Sequence, residues 1–389
     1  MEVIVLAGGL GTRLRSVIHE IPKCLAPVGG VPFLQYLLDW LSAYPVEHVV
    51  FSVGYLREQV MAFVEGREWP FSYDFAVEET PLGTGGGIRL ALEKCNGDHV
   101  FVVNGDTFFP VNLEKMAFDK AITLALKPMK DFDRYGAVSF DGVLVTAFHE
   151  KQHCAEGLIN GGVYAIDRSR LDLSSLPERF SFEKEVLEPG AAIGEVGGVV
   201  SDAYFIDIGV PEDYERAQWA LPAWKAMKRV SSALMEASAD TLFLDRDGVL
   251  NRHLPGDYVR TPAMWEWMPG VLEEFPRWAG KFRRIVLVSN QRGVGKGVMS
   301  DADLSRIHAG MMADILAAGG RLDLALYCTA VEADDPRRKP NTGMFREAQQ
   351  LFPDIDAKSS VMVGDSPSDA AFALNCCMQF ILLSPEAVS

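Results

Sequence analysis

The sequence predicts an α/β protein made of two consecutive three-layer α/β/α domains. Three observations support this fold class. The chain has 389 residues, more than a typical single domain contains. Short apolar runs alternate with segments of helical periodicity, and the alternation starts afresh in the second half. A hydrophobic content of 48% is sufficient for two buried cores.

The first half alternates predicted strands with predicted helices. Apolar residues at the helical period predict helices over 33–44 and 56–66. The first three strands end in glycine or in Asn-Gly-Asp, and ligands usually bind at the carboxyl ends of parallel strands. The predicted strands cover residues 3–9, 48–54, 99–106 and 122–126.

The second half repeats this alternation with different motifs. Between the halves, residues 213–240 are rich in Ala, Lys and Ser, so we interpret them as a last helix followed by a connector. The predicted division is a first domain over 1–221, a connector over 222–239 and a second domain over 240–389. The strands predicted for the second domain cover residues 241–248, 283–291, 322–328, 359–366 and 380–383.

Charge and composition exclude several classes of partner. A net charge of −16 argues against nucleic acid or an anionic membrane, although local clusters of Lys and Arg can still bind phosphorylated small molecules. No apolar run reaches the roughly 20 residues of a membrane span, and no secretory signal precedes the first strand. The 6 cysteines show no CxxC pair, which favours reduced thiols. We expect a cytoplasmic enzyme for small molecules, and homo-oligomerisation stays open.

The segment LAGGLGTRLR follows the first predicted strand. Gly8, Gly9 and Gly11 permit a tight turn whose N–H groups can bind phosphate, and Arg13 adds a planar cation. A dinucleotide-binding GxGxxG turn is the alternative, but the pattern here is GGxGTR, and Lys23 follows in IPKCLAPV. The set indicates a site for a nucleotide phosphate.

GGxGTRL followed by PKxLxPVxGxPFL resembles the sugar-1-phosphate nucleotidyltransferases over roughly residues 1–220. This resemblance implies a Rossmann-like domain in which a sugar 1-phosphate oxygen attacks the α-phosphorus of a nucleoside triphosphate and pyrophosphate leaves. LAGGLGTRLRSV and PVGGVPFLQYLLDWL are similar to heptose-1-phosphate guanylyltransferases in particular.

The same resemblance implies roles for the matching residues. Arg13 and Lys23 would act in catalysis by neutralising phosphate charge, while Asp106 in VVNGD and Asp207 in FIDIG would bind Mg²⁺. The residues implied to bind nucleotide or sugar are Gly8, Gly9, Gly11, Thr12, Glu78, Gly83, Thr84, Asn104, Glu150, Lys151, Asn160 and Gly161.

Glu78 in VEETPLGTGGG lies where relatives recognise the base. A carboxylate can accept two hydrogen bonds, and guanine presents two donors on its Watson–Crick edge, N1–H and the 2-amino group. Uracil and thymine each present one donor on that edge. We therefore predict GTP as the donor, and the alternative is UTP or another triphosphate used with another sugar phosphate.

The segment FLDRDGVLN places Asp245 and Asp247 directly after an apolar run. An isolated DxD pair most often caps a turn. Here LVSNQ, RRKP and MVGDSPSD follow in order, and the four motifs together resemble haloacid-dehalogenase (HAD)-type phosphatases over roughly residues 240–384. A HAD-like second domain is therefore implied.

In that family the first aspartate is the nucleophile and the second is the acid and base. Asp245 would form an aspartyl-phosphate, and Asp247 would protonate the leaving oxygen and then activate water. Mg²⁺ would be held by Asp245, Asp365 and the backbone carbonyl of Asp247, with Asp369 close by.

Other residues of these motifs would bind the substrate. Ser289 and Lys339 would hold the phosphoryl oxygens, and Asn290 would orient the nearby loop. Three further basic residues could bind a second anionic group of the substrate, or they could form a solvated edge. The set is Arg292, Lys296 and Arg338.

DRDGVLN, SNQRGVGKG and RRKPNTGMF resemble heptose-1,7-bisphosphate and histidinol-phosphate phosphatases. Those relatives carry a Cys/His zinc loop before Arg-Lys-Pro, whereas YCTAVEADDPRRKP has one cysteine and no histidine. A structural zinc site needs about four N or S ligands, so we predict no zinc. Lys296 also stands where such relatives often have arginine.

Together the two resemblances imply a bifunctional enzyme with Mg²⁺ in both domains. It would remove one phosphate of D-glycero-D-manno-heptose 1,7-bisphosphate and join the sugar 1-phosphate to GMP from GTP, giving GDP-heptose for a bacterial surface glycan. The alternatives are the same two reactions on another sugar phosphate, or one active domain beside an inactive one.

Overall fold

The computed structural model of the chain describes residues 1–9, 11–14, 17–18 and 20–384. The chain divides into two compact units, Met1–Gln218 and Trp219–Ser389. Each is an α/β unit, which confirms the predicted fold class. In the described part of the chain, no helix is both long and apolar enough to span a membrane.

The first unit contains a large sheet with helices packed on it. Its strands are Glu2–Leu6 (β1), Pro27–Val28 (β2), Val31–Pro32 (β3), His48–Val53 (β4), Ser72–Val77 (β5), His99–Asn104 (β6), Thr107–Phe108 (β7), Ile122–Phe132 (β8), Gly136–Phe140 (β9), Val145–Lys151 (β10), Cys154–Asp167 (β11), Val196–Val200 (β12) and Ile206–Asp207 (β13). Its helices are Phe33–Leu41 (α1), Arg57–Glu65 (α2), Gly83–Leu92 (α3) and Glu188–Ala192 (α4), and the helix Pro211–Glu236 (α5) spans the division between the units.

The parallel part of this sheet aligns the ends of its strands. The strands β6, β1, β4 and β5 are neighbours in that order, and all pair in parallel. Leu6 at the end of β1 lies opposite Ser52 and Asn104, so polar groups after these strands meet at one edge. All four strands and both helices predicted in this half are present, with ends that shift by a few residues.

The sheet is more mixed than the mostly parallel arrangement that the sequence suggested. The long strand β11 runs antiparallel to β6, β8 and β9, and β10 runs antiparallel to β9. These strands lack a continuous apolar run because they are partly exposed; β9, for example, has a single buried residue, Val138. Weak apolar patterning of this kind hides antiparallel strands from sequence inspection.

The second unit has a fully parallel central sheet. Its strands follow the order β16-β15-β14-β17-β18, and each neighbouring pair is parallel. The strands are Thr241–Leu244 (β14), Arg284–Asn290 (β15), Leu324–Cys328 (β16), Ser360–Gly364 (β17) and Gln379–Leu382 (β18). The helices are Val271–Lys281 (α6), Arg292–Gly295 (α7), Asp301–Ala317 (α8), Gly343–Leu351 (α9) and Pro367–Asn375 (α10). The five strands predicted for this half are all present.

Most of the predicted connector, 222–239, is helical and belongs to a core. Helix α5 continues to Glu236, and its buried Met227 and Leu234 pack in one cluster with Phe275 and Trp278 of α6. A composition rich in Ala, Lys and Ser suggested a linker, but the helical period places its apolar residues on one face. The domain boundaries of the sequence analysis stay a prediction.

Candidate active sites

The glycine-rich turn after β1 borders a cavity of about 450 Å³ in the first unit. A Cβ at Gly8 would come within 2.6 Å of Glu78 Oε1, and Gly11 has a φ of 55° in the left-handed region. A side chain at position 8 would displace the Glu78 carboxylate, and one at position 11 would strain the backbone. Arg13 lies on a short 3₁₀ turn and lines the cavity. The side chain of Thr12 lies outside the described residues.

Lys23 lies between two carboxylates at the phosphate end of this cavity. Its Nζ donates to Asp106 Oδ2 at 2.5 Å and to Asp207 Oδ1 at 3.5 Å. Burial and the charge of Asp106 raise the pKa of Asp207 against the attraction of Lys23. Two carboxylates that share one ammonium carry excess negative charge. This donor set fits a divalent cation whose remaining ligands come from substrate phosphates.

Glu78 follows β5 and lines the same cavity. Its Oε1 accepts a hydrogen bond from Ser52 Oγ at 3.0 Å, and its Oε2 accepts one from the Leu82 N–H at 3.0 Å. These bonds fix the direction of the carboxylate. Each carboxylate oxygen can accept two hydrogen bonds, so both keep capacity for a ligand.

Thr84 also borders the cavity, but its hydroxyl is committed elsewhere. It donates to Glu183 Oε2 at 2.7 Å and accepts a bond from the Phe182 N–H at 2.9 Å. These bonds attach helix α3 to the segment around Phe182. The predicted residues that line the cavity are Gly8, Gly9, Gly11, Arg13, Lys23, Glu78, Gly83, Thr84, Asn104 and Asp106.

The predicted sugar-binding segment of β11 lies beside Asn104. Asn160 Oδ1 accepts a bond from the Gly162 N–H at 3.0 Å, which stabilises a bend where the pairing with β8 shifts register. Gly162 has a φ of 73°, and a Cβ there would come within 2.5 Å of Asn104 Nδ2. Gly161 is buried next to it. The structure thus brings this segment to the end of β6, next to Asp106.

A second cavity, of about 180 Å³, shares Asp207 with the first site. Tyr135 and Phe205 form an edge-to-face pair with ring centroids 5.8 Å apart, and both line it. Arg134 donates to the Tyr135 hydroxyl at 3.1 Å and pairs with Asp213. Burial, followed by the charge of Asp207, raises the pKa of Tyr135 to about 12. This cavity offers aromatic faces and hydrogen-bonding groups next to the candidate metal ligand.

The structure places Lys151 near this second cavity. Lys151 pairs with Gly136 in the register of β10 and β9, so it lies one residue from Tyr135. Glu150 is exposed at the same end of β10. Sequence inspection missed Arg134 and Tyr135, since only the pairing of these two weakly apolar strands would have linked them to Lys151.

Three carboxylates meet at the carboxyl ends of the strands in the second unit. One oxygen each from Asp245, Asp365 and Asp369 lie within 4.8 Å of one another. Gly248 makes this possible: its φ is 86°, and a Cβ there would lie 1.9 Å from Asp365 Oδ2. A cluster of three carboxylates fits a hard divalent cation.

Lys339 is buried among these carboxylates. Its Nζ donates to Asp245 Oδ1 at 2.7 Å and to Asp369 Oδ1 at 2.5 Å. Burial raises the pKa of Asp245 to about 7, with the charge of Asp369 adding to it and Lys339 opposing it. Burial and Asp369 also raise the pKa of Asp365. One lysine therefore does not balance the cluster, and a divalent cation would.

The side chain of Asp247 points to a different set of partners. It accepts two bonds from Arg246 Nη2, at 2.9 and 3.0 Å, one from Asn251 at 3.0 Å and one from Gln291 at 2.7 Å. Burial opposes ionisation, but the buried Arg246 and the other donors outweigh it and lower the pKa of Asp247. Its predicted contribution to a metal site, through the backbone carbonyl, stays a prediction.

Residues after β15 connect the second-unit motifs. Gln291 Nε2 donates to Ser289 Oγ at 2.9 Å as well as to Asp247, so it joins the predicted phosphate ligand to the predicted acid and base. Asn290 exchanges two bonds with the backbone of Lys339, at 2.9 and 3.0 Å, and so fixes where that lysine lies. Sequence inspection missed Gln291 because its amide carries no motif-level signature.

The predicted basic set has mixed surroundings. Arg292 is half-buried after Gln291, and Lys296 is exposed with its ammonium 5.6 Å from the Tyr258 ring centroid. Arg338 donates to the Val331 carbonyl, which ties it to its own loop. Their predicted binding of a second anionic group stays a prediction.

The segment that precedes Lys339 is held by hydrogen bonds. Asp335 Oδ1 accepts bonds from Cys328 Sγ at 3.5 Å and from the Arg337 N–H at 2.8 Å. Asn341 Nδ2 donates to the carbonyls of Ala333 and Asp335, at 3.0 and 2.8 Å. These bonds give the loop a fixed path, and the expected absence of zinc stays a prediction.

The fold and the two sites define an enzyme with two phosphate-transfer centres. Residues 2–223 match the family model described as nucleotidyl transferase, so the chain belongs to the nucleotidyl transferase family. It is 45% identical over 223 residues to the D-glycero-alpha-D-manno-heptose 1-phosphate guanylyltransferase of Aneurinibacillus thermoaerophilus, which is 56% of this chain and 97% of that relative. The crystal structure of HddC from Yersinia pseudotuberculosis is 34% identical, covers 56% of this chain and 97% of its own, and has a TM-score of 0.51.

Residues 242–387 match a second family model, described as polynucleotide kinase 3 phosphatase. A crystal structure of D,D-heptose 1,7-bisphosphate phosphatase from B. bronchiseptica, complexed with magnesium and phosphate, is 30% identical over 37% of this chain and 79% of its own, with a TM-score of 0.35. The chain thus carries a nucleotidyltransferase domain and a phosphatase domain, which confirms the predicted fusion. Enzymes of both kinds generally use a divalent metal ion.

Proposed function

We propose that the chain makes a GDP-heptose in two consecutive reactions. The phosphatase would convert D-glycero-α-D-manno-heptose 1,7-bisphosphate to the 1-phosphate, and the transferase would join this product to GMP from GTP. The observation that carries the proposal is the 45% identity to a heptose 1-phosphate guanylyltransferase over 97% of that relative's length. The fused phosphatase is a fitting source of the sugar 1-phosphate.

In the transferase, the reactants are positioned and their charge is offset. Arg13, Lys23 and the N–H groups of the glycine-rich turn would hold the triphosphate, while Glu78 accepts from N1–H and the 2-amino group of guanine. Asp106 and Asp207 would hold Mg²⁺, which when bound offsets charge on the phosphates. The sugar phosphate oxygen attacks the α-phosphorus in line, and the bond to pyrophosphate breaks.

The sugar phosphate would lie between the bend of β11 and the second cavity. Asn160 and Gly161 precede Gly162, which contacts Asn104, while Tyr135 and Lys151 lie on the side of Asp207. Both groups of residues flank the pair Asp106 and Asp207. This location would bring a sugar 1-phosphate next to the α-phosphate of a nucleotide in the first cavity.

In the phosphatase, Asp245 would attack the phosphorus, and the bond to the sugar oxygen would break. Lys339 and Ser289 would bind the phosphoryl oxygens, and Asp247 would give its proton to the leaving oxygen. Asp245, Asp365 and Asp369 would hold Mg²⁺, which when bound offsets repulsion between carboxylate and phosphate. Asp247, then ionised and stabilised by Arg246, would take a proton from the water that hydrolyses the aspartyl-phosphate.

The test supplies the heptose 1,7-bisphosphate with Mg²⁺, first without and then with GTP, and follows phosphorus species by ³¹P NMR. We expect orthophosphate and the 1-phosphate in the first case, then pyrophosphate and GDP-heptose in the second. A preference for UTP or for a hexose bisphosphate would replace the proposed substrates. Release of orthophosphate with no nucleotide sugar from any triphosphate would show that the phosphatase alone is active.

A further inference from the structure

A run of glycines in helix α3 allows another segment to approach very closely. A Cβ at Gly83 would lie 2.5 Å from the Phe180 carbonyl oxygen, and one at Gly86 would lie 2.6 Å from the Glu178 carbonyl oxygen. The two segments also exchange backbone bonds, from Phe180 N–H to Leu82 O at 3.0 Å and from Gly85 N–H to Phe180 O at 3.1 Å. The glycines therefore fix residues 178–180 against the start of the helix.

This contact places Arg179 on the nucleotide cavity. Arg179 lines the cavity together with Glu78, Gly83 and Thr84. Its side chain is exposed, and within the described ranges its guanidinium has no hydrogen-bond or ion-pair partner. The N–H of the next residue, Phe180, donates to the Leu82 carbonyl, and the Leu82 N–H donates to Glu78. Arg179 is therefore linked to the Glu78 side of the cavity.

We propose that Arg179 recognises guanine by donating two hydrogen bonds to O6 and N7, while Glu78 binds N1–H and the 2-amino group. The proposal rests on the proposed use of GTP. A guanidinium fork matches the adjacent acceptors O6 and N7, which is the commonest specific contact between arginine and guanine. Adenine presents an amino group where guanine has O6, so Arg179 disfavours ATP, and the pyrimidines lack N7.

The charges on the cavity favour this assignment over a phosphate contact. Arg13, Lys23 and the turn of Gly8 to Gly11 already supply cations and N–H donors after β1. Glu78 packs against Gly8 at the start of this turn, whereas Lys23 packs against Gly11. The Glu78 carboxylate would repel a triphosphate, so the Gly8 end of the cavity suits a neutral base. A carboxylate and a guanidinium that line the same cavity match the donor and acceptor edges of guanine.

The experiment compares kcat/KM for GTP and 7-deaza-GTP in the wild-type chain, Arg179→Ala, Arg179→Lys and Lys184→Ala. 7-Deaza-GTP lacks N7 but keeps the Watson–Crick edge. 7-Deaza-GTP loses one of the two bonds, so we expect the wild type to prefer GTP over it by about 2- to 12-fold, half the free energy of a bidentate contact. Arg179→Ala loses both bonds, so it should lose about 5- to 150-fold in kcat/KM for GTP and should no longer distinguish the two nucleotides. Arg179→Lys keeps the charge but loses the planar fork, so it should fall between the wild type and Arg179→Ala.

Controls separate this inference from the proposed function. Lys184 is exposed in the same segment and lies off the cavity, so Lys184→Ala should behave as the wild type. Chemical denaturation followed with a reporter in the first unit verifies that this unit is folded in each variant. A wild type that prefers UTP or CTP would overturn both the proposed function and this inference. If the wild type prefers GTP but uses 7-deaza-GTP equally well, the inference alone is overturned. The same holds if the preference for GTP over 7-deaza-GTP persists in Arg179→Ala.

Discussion

Both sites place one lysine between two carboxylates, but in different environments. Lys23 bridges Asp106 and Asp207 at the rim of an open cavity, where the Asp106 side chain is 39% exposed. Lys339 bridges Asp245 and Asp369 with both the ammonium and the Asp369 carboxylate almost fully buried, at 2% and 0% exposure. The same set of charges is accessible to large substrates in one unit and enclosed in the other.

The difference in burial follows from the chemistry of each unit. A transferase that joins two substrates must admit both and needs no protein nucleophile, so its charges can be solvated. A phosphatase with an aspartate nucleophile needs a fixed carboxylate that water does not screen. Burial also raises the pKa of Asp245 to about 7, and a metal ion would reverse this effect.

The largest expected effect separates the two chemistries. Asp245→Asn removes the nucleophile and should lower phosphate release by at least about 10³-fold, while nucleotidyl transfer to a supplied sugar 1-phosphate stays unchanged. Asp207→Asn should lower nucleotidyl transfer and leave phosphate release unchanged. Phosphate and pyrophosphate release, measured on each variant, check this. Loss of both activities in either variant would contradict two independent centres.

The next effect concerns stability. Lys339→Met leaves two buried carboxylates without their ammonium and should destabilise the second unit by about 3 kcal/mol when metal is chelated. Lys23→Met should cost about 1 kcal/mol, because solvent screens Asp106. Chemical denaturation of each variant, followed with one reporter in each unit, measures both. Equal losses would mean that burial does not distinguish the two clusters.

Much of both sites could be predicted from the sequence, since the key residues follow strong apolar strands. Asp245 and Asp365 come directly after buried strands, and Asp106 comes two residues after one, so their location at the sheet edge of each unit follows from the fold class. Glu78 and Lys339 were predicted from motifs, because the resemblance to each family implies a role for the matching residue.

The missed residues are those that long-range pairing brings to the sites. Arg179 depends on the glycines of α3, and Tyr135 depends on the register of β9 and β10. Gln291 depends on the direction of Asp247. Neither periodicity nor a motif specifies such contacts, because they arise only after the sheet and its crossing segments have formed.

Gln291 gives a test of how strictly the buried site positions its acid and base. Gln291→Met keeps the volume but removes the donors to Asp247 and Ser289. We expect phosphatase kcat to fall by about 10- to 100-fold with little change in KM, since the residue positions Asp247 without touching substrate. Losing this donor should also raise the pKa of Asp247 and move the acid limb of the kcat profile to higher pH. If the acid limb of the kcat profile does not move, Gln291 has only a packing role.

A further effect concerns acid sensitivity in the second unit. Burial and the charge of Arg246 lower the pKa of His308 from 6.5 to about 4. Between pH 6.5 and pH 4, His308 is protonated in the unfolded chain but neutral in the folded chain. The stability of the second unit is therefore fully present above pH 6.5 and is lost as the pH falls towards 4. This histidine should therefore cost the second unit about 2 kcal/mol between pH 7 and pH 5. Denaturation curves at both pH values measure the loss.

His308→Gln removes the titrating group and should reduce that loss, although other groups still titrate. His149→Gln changes an exposed histidine of the first unit and should leave the pH dependence of the second unit unaltered. The informative quantity is the difference between the two variants, because charge effects common to the whole chain cancel in it. If both variants lose stability equally on acidification, His308 is protonated in the folded unit. The enclosed polar cluster of Arg246, Asp247 and His308 would then be as accessible to protons as the open cavity of the transferase.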